Sequence, residues 1–390
     1  MTAFWNKHEL SQMHIELTNA CNAACPMCVR FYNNSPHVRP DLEIGQITLD
    51  KFTKYFPPNI IKRCKLILFC GVHGDPCVAK DMLEICEYIL SISDTTAVRV
   101  NTNGGMRRSD WWTRLGKLFS QRHPSTNQSH WQITFSIDGL EDTNHLYRRN
   151  VNWHILMENV EAYIKAGGAA CWDYLIFKHN EHQIEKCKSL SKIYGFKYFC
   201  HRPTAGFIDE NNTLQYTWNG NHVILEPGSD NKNIMKLGYP LTPTDIRCAA
   251  VDDGKGGFVN EMIIDSRGVV HPCCYFSHEC RRVYKEFYET GDPKSKPQRD
   301  EYHRRTNMYY NSVANLIEDQ GGIGSISLYH STWDEIMNSP FYRERLERSW
   351  KIREHNGDLS MCGYMCSKEK ETEDGYHETG TGGVMHPFID

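Results

Sequence analysis

The chain has 390 residues, 40% hydrophobic and 24% charged, the proportions of a globular protein with more than one domain. A net charge of -4 gives no general attraction to nucleic acid or to an acidic membrane surface, so neither is expected as a partner. No apolar run reaches the ~20 residues that a membrane-crossing helix needs, and MTAFWNKHELSQ lacks the apolar stretch of a signal peptide, so the expected location is the cytoplasm.

Short apolar runs alternate with amphipathic ones up to residue 205. The strand candidates are MHIEL (13–17), KLILFC (65–70), AVRVNT (97–102), QITFSI (132–137), YLIFK (174–178) and KYFCH (197–201). Helix candidates lie between them. KDMLEICEYILSI puts Leu83, Cys86 and Leu90 on one face, and HILMENVEAYIKAGG puts Leu156, Val160 and Tyr163 together with Gly167 at its C-terminal cap. Alternating strands and helices predict an α/β fold with a parallel sheet, although the pattern does not give the strand order. Residues 206–244, rich in Asn, Gly, Thr and Pro, read as a linker. FVNEMIIDSRGVVHPCC reads as β-structure with a turn at Ser266–Gly268. Residues 281–306, dense in both charge signs, read as a solvated insertion. STWDEIMNSPFYRERLERSW reads as two short helices broken near Pro340, and residues 376–390 as a mobile tail.

Sixteen cysteines in a large chain without a secretory signal point to metal binding more than to disulfides. Most single ones fall in apolar runs, where cysteine packs as a small hydrophobe. Three do not: HIELTNACNAACPMCVR carries Cys21, Cys25 and Cys28 as C-x-x-x-C-x-x-C. Thiolates suit zinc or iron–sulfur. A structural zinc site usually takes four protein ligands and pairs its cysteines across a longer gap. Three cysteines on a four-iron cluster would leave one iron open to a small molecule.

CNAACPMC after a strand resembles the signature of the radical S-adenosylmethionine superfamily. The resemblance implies a partial (β/α)6 barrel over residues 1–205. It implies that Cys21, Cys25 and Cys28 hold a [4Fe–4S] cluster that binds and reductively cleaves S-adenosylmethionine, giving a 5′-deoxyadenosyl radical that takes a hydrogen atom from the substrate. Met27 is a departure, since many members carry an aromatic residue there. FCGVHGDP resembles the family's Gly-Gly-Glu-Pro motif, with His73, Gly74, Asp75 and Pro76 in its place and Asp75 toward the methionyl ammonium; Gly-Asp-Pro is also plain turn chemistry. NTNGG and SIDG resemble cofactor-lining segments, which implicates Asn103, Ser136 and Asp138. Arg149 matches the family's arginine toward the cofactor carboxylate, with Arg148 as its competitor, and Asn180 matches an asparagine near the ribose. At the end of the sixth strand, Cys200 is a candidate hydrogen-atom donor and Arg202 a candidate substrate anchor; a buried structural role for Cys200 is the alternative.

Toward the C-terminus, GVVHPC, MCGYMC and SLYHSTWDEIMNSPFYRERL resemble the SPASM/twitch extension. This implies an auxiliary [4Fe–4S] cluster in residues 245–375, held by Cys248, Cys273, Cys362 and Cys366. Cys274 and Cys280 are alternatives to Cys273, which the glycine spacing favours, and a zinc knuckle with the same ligands stays open. The expected function is that of a radical S-adenosylmethionine oxidoreductase. It would oxidise, cross-link or epimerise a peptide or small molecule with a flavodoxin- or ferredoxin-like electron donor. Little chain precedes the first strand, which weighs against a leader-guided peptide enzyme. The alternatives are a twitch-type small-molecule dehydrogenase or cyclase, and a non-catalytic zinc or iron–sulfur protein.

Overall fold

The six β-rich runs form strands, and the amphipathic runs between them form helices. In a computed structural model, the described residues are 10–31, 38–39, 42, 44–121, 131–204, 213–229, 261–298, 316–349 and 384–387. In chain order the elements begin β1 (Gln12–Ile15), α1 (Leu49–Tyr55), α2 (Pro58–Ile61), β2 (Leu66–Phe69), α3 (Met82–Ile92), β3 (Ala97–Thr102), α4 (Ser109–Ser120) and β4 (Gln132–Ser136). They continue with α5 (Asn144–Tyr147), α6 (Trp153–Lys165), β5 (Ala169–Ile176), α7 (Ile184–Tyr194), β6 (Tyr198–Pro203), β7 (Leu214–Trp218) and β8 (Asn221–Leu225). The last are β9 (Glu261–Ile264), β10 (Val270–His271), α8 (Cys274–Val283), α9 (Lys285–Thr290), α10 (Trp333–Met337), α11 (Leu346–Ser349) and β11 (Val384–Pro387). Among the described residues, no helix is long and apolar enough to cross a membrane.

The fold is mixed α/β around a largely parallel sheet. Two compact units divide it: Met1–Glu16 with Asp41–Leu66 and Gly238–Gly380, and Leu17–Pro40 with Ile67–Leu237 and Thr381–Asp390. In the second unit the strands run β2-β3-β4-β5-β6-β11. β3 to β6 are parallel in sequential order, with Asn101 opposite Thr134, Thr134 opposite Cys171, and Asp173 opposite Cys200. β11 pairs antiparallel with β6, so the segment read as a mobile tail holds a strand.

Side chains alternate across a strand, so the two faces of this sheet can be compared. Val100, Ile133, Phe135, Ala170, Trp172 and Phe199 are fully buried on one face. Phe135 packs on Trp112 of α4 and Tyr163 of α6, and Trp172 on Phe196 after α7, so this face carries the helices. The other face presents Arg99, Asn101, Gln132, Thr134, Ser136, Cys171, Asp173, Cys200 and Arg202. Cys171, Asp173 and Cys200 are buried there and the rest are half-buried or exposed. Parallel sheets normally bury both faces under apolar cover.

Several boundaries differ from the sequence reading. β5 starts five residues before YLIFK, because AACWD is as buried as the run that follows. Residues 214–225, read as linker, form the antiparallel hairpin β7–β8. Residues 281–290 are not a solvated insertion: Val283 at the end of α8, Tyr284 at the junction, and Phe287 and Tyr288 of α9 are all buried despite the charges between them. The expected turn at Ser266–Gly268 joins β9 to β10, with Gly268 at φ 72°. In the first unit β1 pairs parallel with β9. α10 begins with a capping box from Thr332 to Glu335, and a new helical run follows Pro340, as the sequence indicates.

Candidate functional site

The three-cysteine loop lies wholly in the second unit. Pro26 sits at the second position of the turn Cys25–Cys28, where its fixed φ belongs, and the Cys28 N–H donates to the Cys25 carbonyl at 3.0 Å. The next turn is closed by Phe31 N–H on the Cys28 carbonyl, 3.0 Å. Ala23 and Ala24 are buried, which leaves the loop no bulk of its own. The Ala23 N–H points at Cys21 Sγ, 3.4 Å, and the Ala24 N–H donates to the Arg149 carbonyl, 3.0 Å. Arg30, buried two residues past the last cysteine, donates from Nη1 to the carbonyls of Asn19 and His73. One guanidinium thus ties the cysteine loop to the segment after β2.

That segment approaches closely. A Cβ on Gly74 would stand 1.9 Å from the Thr18 carbonyl oxygen, so only glycine fits. The Asp75 N–H donates to the Ala20 carbonyl, 2.9 Å. Pro76 opens a short 3₁₀ turn that Asp75 caps through Cys77 N–H, 2.9 Å. Asp75 also accepts from Thr102 Oγ1, Asn103 N and Asn103 Nδ2 at 2.7–2.9 Å. Asn103 reaches Asn22 Oδ1 at 2.9 Å and Cys21 Sγ at 3.7 Å. The ends of β2 and β3 and the cysteine loop are thereby one hydrogen-bonded body. Burial raises the Asp75 carboxyl, and no ion pair to it occurs among the described residues.

On the other side of the loop, Asp138 is fully buried after β4. Its Oδ2 takes Arg148 Nε at 2.6 Å and its Oδ1 takes Leu175 N–H at 2.7 Å. Arg148 Nη1 then points at Cys25 Sγ, 3.8 Å. Burial opposes the Arg148 charge, but Asp138 and Cys25 hold it protonated. Of the two competing arginines, Arg148 stands at the cysteines. The Arg149 guanidinium stacks on Tyr216 and Trp218 of the β7–β8 hairpin, 4.1 and 4.5 Å from their ring centres. Asn180 is committed to the scaffold: it accepts from Phe177 N–H and donates to the Asp138 and Leu175 carbonyls. Ser136 ends β4 half-buried. His73 is buried beside Arg30.

Burial raises all three thiols; Cys25 adds to the rise in Cys21 and Cys28, and Cys28 is pushed up to about 11. Three cysteines on one short loop are the donor type that a soft cation deprotonates and holds. Among the described residues, no group of three metal-ligating side chains is drawn closely enough together to hold a metal ion as it stands. Asn103 and Arg148 are directed at Cys21 and Cys25, the kind of outer hydrogen bond that tunes a thiolate-bound centre.

Cys200 is the third residue of β6, not its end. Its Sγ lies 3.4 Å from Cys171 Sγ, and Arg202 pairs with Asp173 at 2.8 Å on the same sheet face. In the first unit, Cys273 caps α8 by accepting from the Phe276 N–H, and Cys280 is buried on that helix. Cys248, Cys362 and Cys366 lie outside the described residues. The sequence reading missed Asn22, Arg30 and Thr102, and took Arg148 only as a competitor. Arg30 and Thr102 adjoin motifs that were noticed; nothing local marks Arg107, whose guanidinium caps the carbonyls of Cys77 and Ala79.

No protein-family model matches the chain. No curated protein matches it either. Among solved structures, the chain is similar to Streptococcus suis SuiB bound to S-adenosylmethionine, at 12% identity and TM-score 0.42, over 69% of this chain and 61% of that one. The alignment thus spans less than two thirds of SuiB. It is similar to anSMEcpe with bound AdoMet at 14% identity and TM-score 0.47, over 87% of this chain and 81% of that one. It is similar to archaeal TYW1 at 14% identity and TM-score 0.26, over 36% of this chain and 43% of that one.

Proposed function

We propose that the chain is a radical S-adenosylmethionine enzyme. The observation that carries this reading is the placement of Cys21, Cys25 and Cys28 on one half-buried loop, with a buried carboxylate, Asp75, that has no ion pair among the described residues and is tied to that loop through Asn103 and Asn22. A [4Fe–4S] cluster on the three thiolates would supply the electron that cleaves the cofactor. The rest is the work of this chain. The Cys25–Cys28 turn and Arg30 fix the spacing of the ligands. Asp75 offers a desolvated negative charge to the methionyl ammonium, Arg148 a positive one to a carboxylate, and the side chains of Asn103, Ser136 and Asp138 line the same sheet ends. The polar sheet face ending in Asp173 and Arg202 receives the substrate, a peptide or a small polar molecule. A flavodoxin- or ferredoxin-like protein delivers the electron.

A second metal centre in the C-terminal region, held by Cys248, Cys273, Cys362 and Cys366 with Cys274 or Cys280 as alternatives to Cys273, completes the reading. Oxidation of the substrate by two electrons is the preferred outcome over epimerisation. The four cysteines available to saturate that centre support this, because a fully ligated cluster can take an electron from the substrate radical. The test is anaerobic reconstitution. We expect about eight irons per chain, falling to about four when Cys21, Cys25 and Cys28 are all replaced by alanine. With a strong reductant the wild type should release 5′-deoxyadenosine from S-adenosylmethionine, and the triple variant none. Zinc in place of iron at the three cysteines would sink the proposal.

A further inference from the structure

We infer that Arg30 is the counter-charge of the three-cysteine loop, a positioning residue that favours loading of the loop and the reduced state of what it holds; this deepens the reading above and rests on it. Arg30 is the second residue after Cys28 and is 4% exposed. Its Nη1 donates to two carbonyls, that of Asn19 and that of His73, the latter at 2.7 Å. Asn19 stands two residues before Cys21. The side chain therefore folds back across the base of the loop and closes residues 19–30 into a ring, with all three cysteines inside it. The backbone holds the arginine in place: the Arg39 N–H donates to the Arg30 carbonyl at 2.8 Å, and the Phe31 N–H to the Cys28 carbonyl at 3.0 Å.

This position offers the guanidinium no anion. Two carbonyl oxygens solvate a cation but do not neutralise it, and Arg30 Nε is buried with no hydrogen-bond partner. No carboxylate pairs with Arg30 among the described residues. Elsewhere the chain meets such charges: Arg148 pairs with Asp138 at 2.6 Å, buried Arg281 pairs with Glu16 at 2.9 Å, and buried Arg149 stacks on Tyr216 and Trp218. A buried charge without an opposite one is costly and persists where something offsets it. The groups inside the ring are neutral as thiols and anionic as ligands. Three thiolates on a four-iron core keep a net negative charge, and reduction adds one electron to it. Charge around such a centre is one of the terms that set its potential. Burial raises the Cys21 and Cys28 thiols, and the Arg30 charge opposes the rise in both. Arg30 thus meets an anion when the loop is loaded and a stronger one when it is reduced. A residue that only pinned the loop would need two hydrogen-bond donors and no charge.

The test compares two full-length variants: Arg30→Lys, which keeps the charge, and Arg30→Gln, which keeps a donor without it. Each is reconstituted anaerobically with iron and sulfide. The midpoint potential is read by an EPR-monitored titration, on the part of the signal that is lost when Cys21, Cys25 and Cys28 are replaced by alanine. Arg30→Gln should make reduction about tenfold less favourable, a potential about 59 mV more negative for a one-electron couple. Arg30→Lys should stay close to wild type. In calorimetry, Arg30→Gln should lower the melting temperature of the loaded protein more than that of the metal-free protein. A wild-type potential in Arg30→Gln, or an equal fall in both variants, overturns the counter-charge and leaves the cluster in place. Should Arg30→Gln take up no iron at this loop, uptake by Arg30→Lys supports the inference and failure of both overturns it. Absence of iron at the three cysteines of the wild type removes the radical reading itself, and the inference with it.

Discussion

Replacing Asp75 by alanine tests whether this carboxylate holds the site together. The side chain accepts from Cys77 N–H, Thr102 Oγ1, Asn103 N–H and Asn103 Nδ2, and the residue is 4% exposed. Asn103 Nδ2 keeps its bond to Asn22 Oδ1 when Asp75 is truncated, so the other three donors are stranded. At about 1–3 kcal/mol for each stranded buried donor, with some relief from entering water, the loss is about 3–6 kcal/mol. That is a large part of the ~5–15 kcal/mol that holds a typical domain folded. For a body of this size, a melting temperature about 10 °C lower is expected. Thr102→Val removes one of the bonds to Asp75 and strands only the Gly104 N–H, so it should cost about 1–2 kcal/mol. Calorimetry of the metal-free proteins reads both. The same Asp75 variant should bind S-adenosylmethionine more weakly in the reconstituted protein, measured by equilibrium dialysis. A melting temperature within about 2 °C of wild type for Asp75→Ala would refute the reasoning, because the donors would then be satisfied without the carboxylate.

Arg148→Met leaves Asp138 buried without its ion-pair partner and should cost about 3–5 kcal/mol. Arg149→Met loses a buried stack on Tyr216 and Trp218 and a hydrogen bond to the Tyr216 hydroxyl but strands no carboxylate among the described residues, so iron uptake should fall for the Arg148 variant and hold for this one. Gly74→Ala has no room beside the Thr18 carbonyl and should abolish cluster uptake, and an iron content equal to wild type would refute the close approach. Burial pushes the Cys64 thiol up to about 12 from an ordinary value of 9.0. The folded chain keeps that proton while the unfolded chain loses it, so stability is complete below pH 9 and declines toward pH 12, by up to about 4 kcal/mol from this thiol. Urea titrations of the metal-free protein from pH 8 to 11 check the sign, and a Cys64→Ala variant should show a shallower decline.

The sequence alone determined what depends on neighbours along the chain. Strand and helix positions follow from periodicity, which is why AVRVNT and the helix around Leu156, Val160 and Tyr163 stand where the pattern puts them. Turn chemistry is equally local: Pro26 between two cysteines, Gly167 after a helix, and Gly268 between β9 and β10 all serve as read. What depends on approach through space was closed to the sequence. Arg148 and Arg149 are adjacent and chemically equal, and only the packing of α5 sends one to Asp138 and Cys25 and the other to Tyr216. Cys200 meets Cys171 because the parallel register of β5 and β6 sets them diagonally on one face, 29 residues apart in the chain. The charge density of residues 281–290 hid a buried stretch, since Arg281 finds Glu16 265 residues away and a paired charge can be buried where a lone one cannot. Local pattern fixes which way a backbone runs; which polar side chains share a buried volume is decided by the register of strands and by partners distant in the chain.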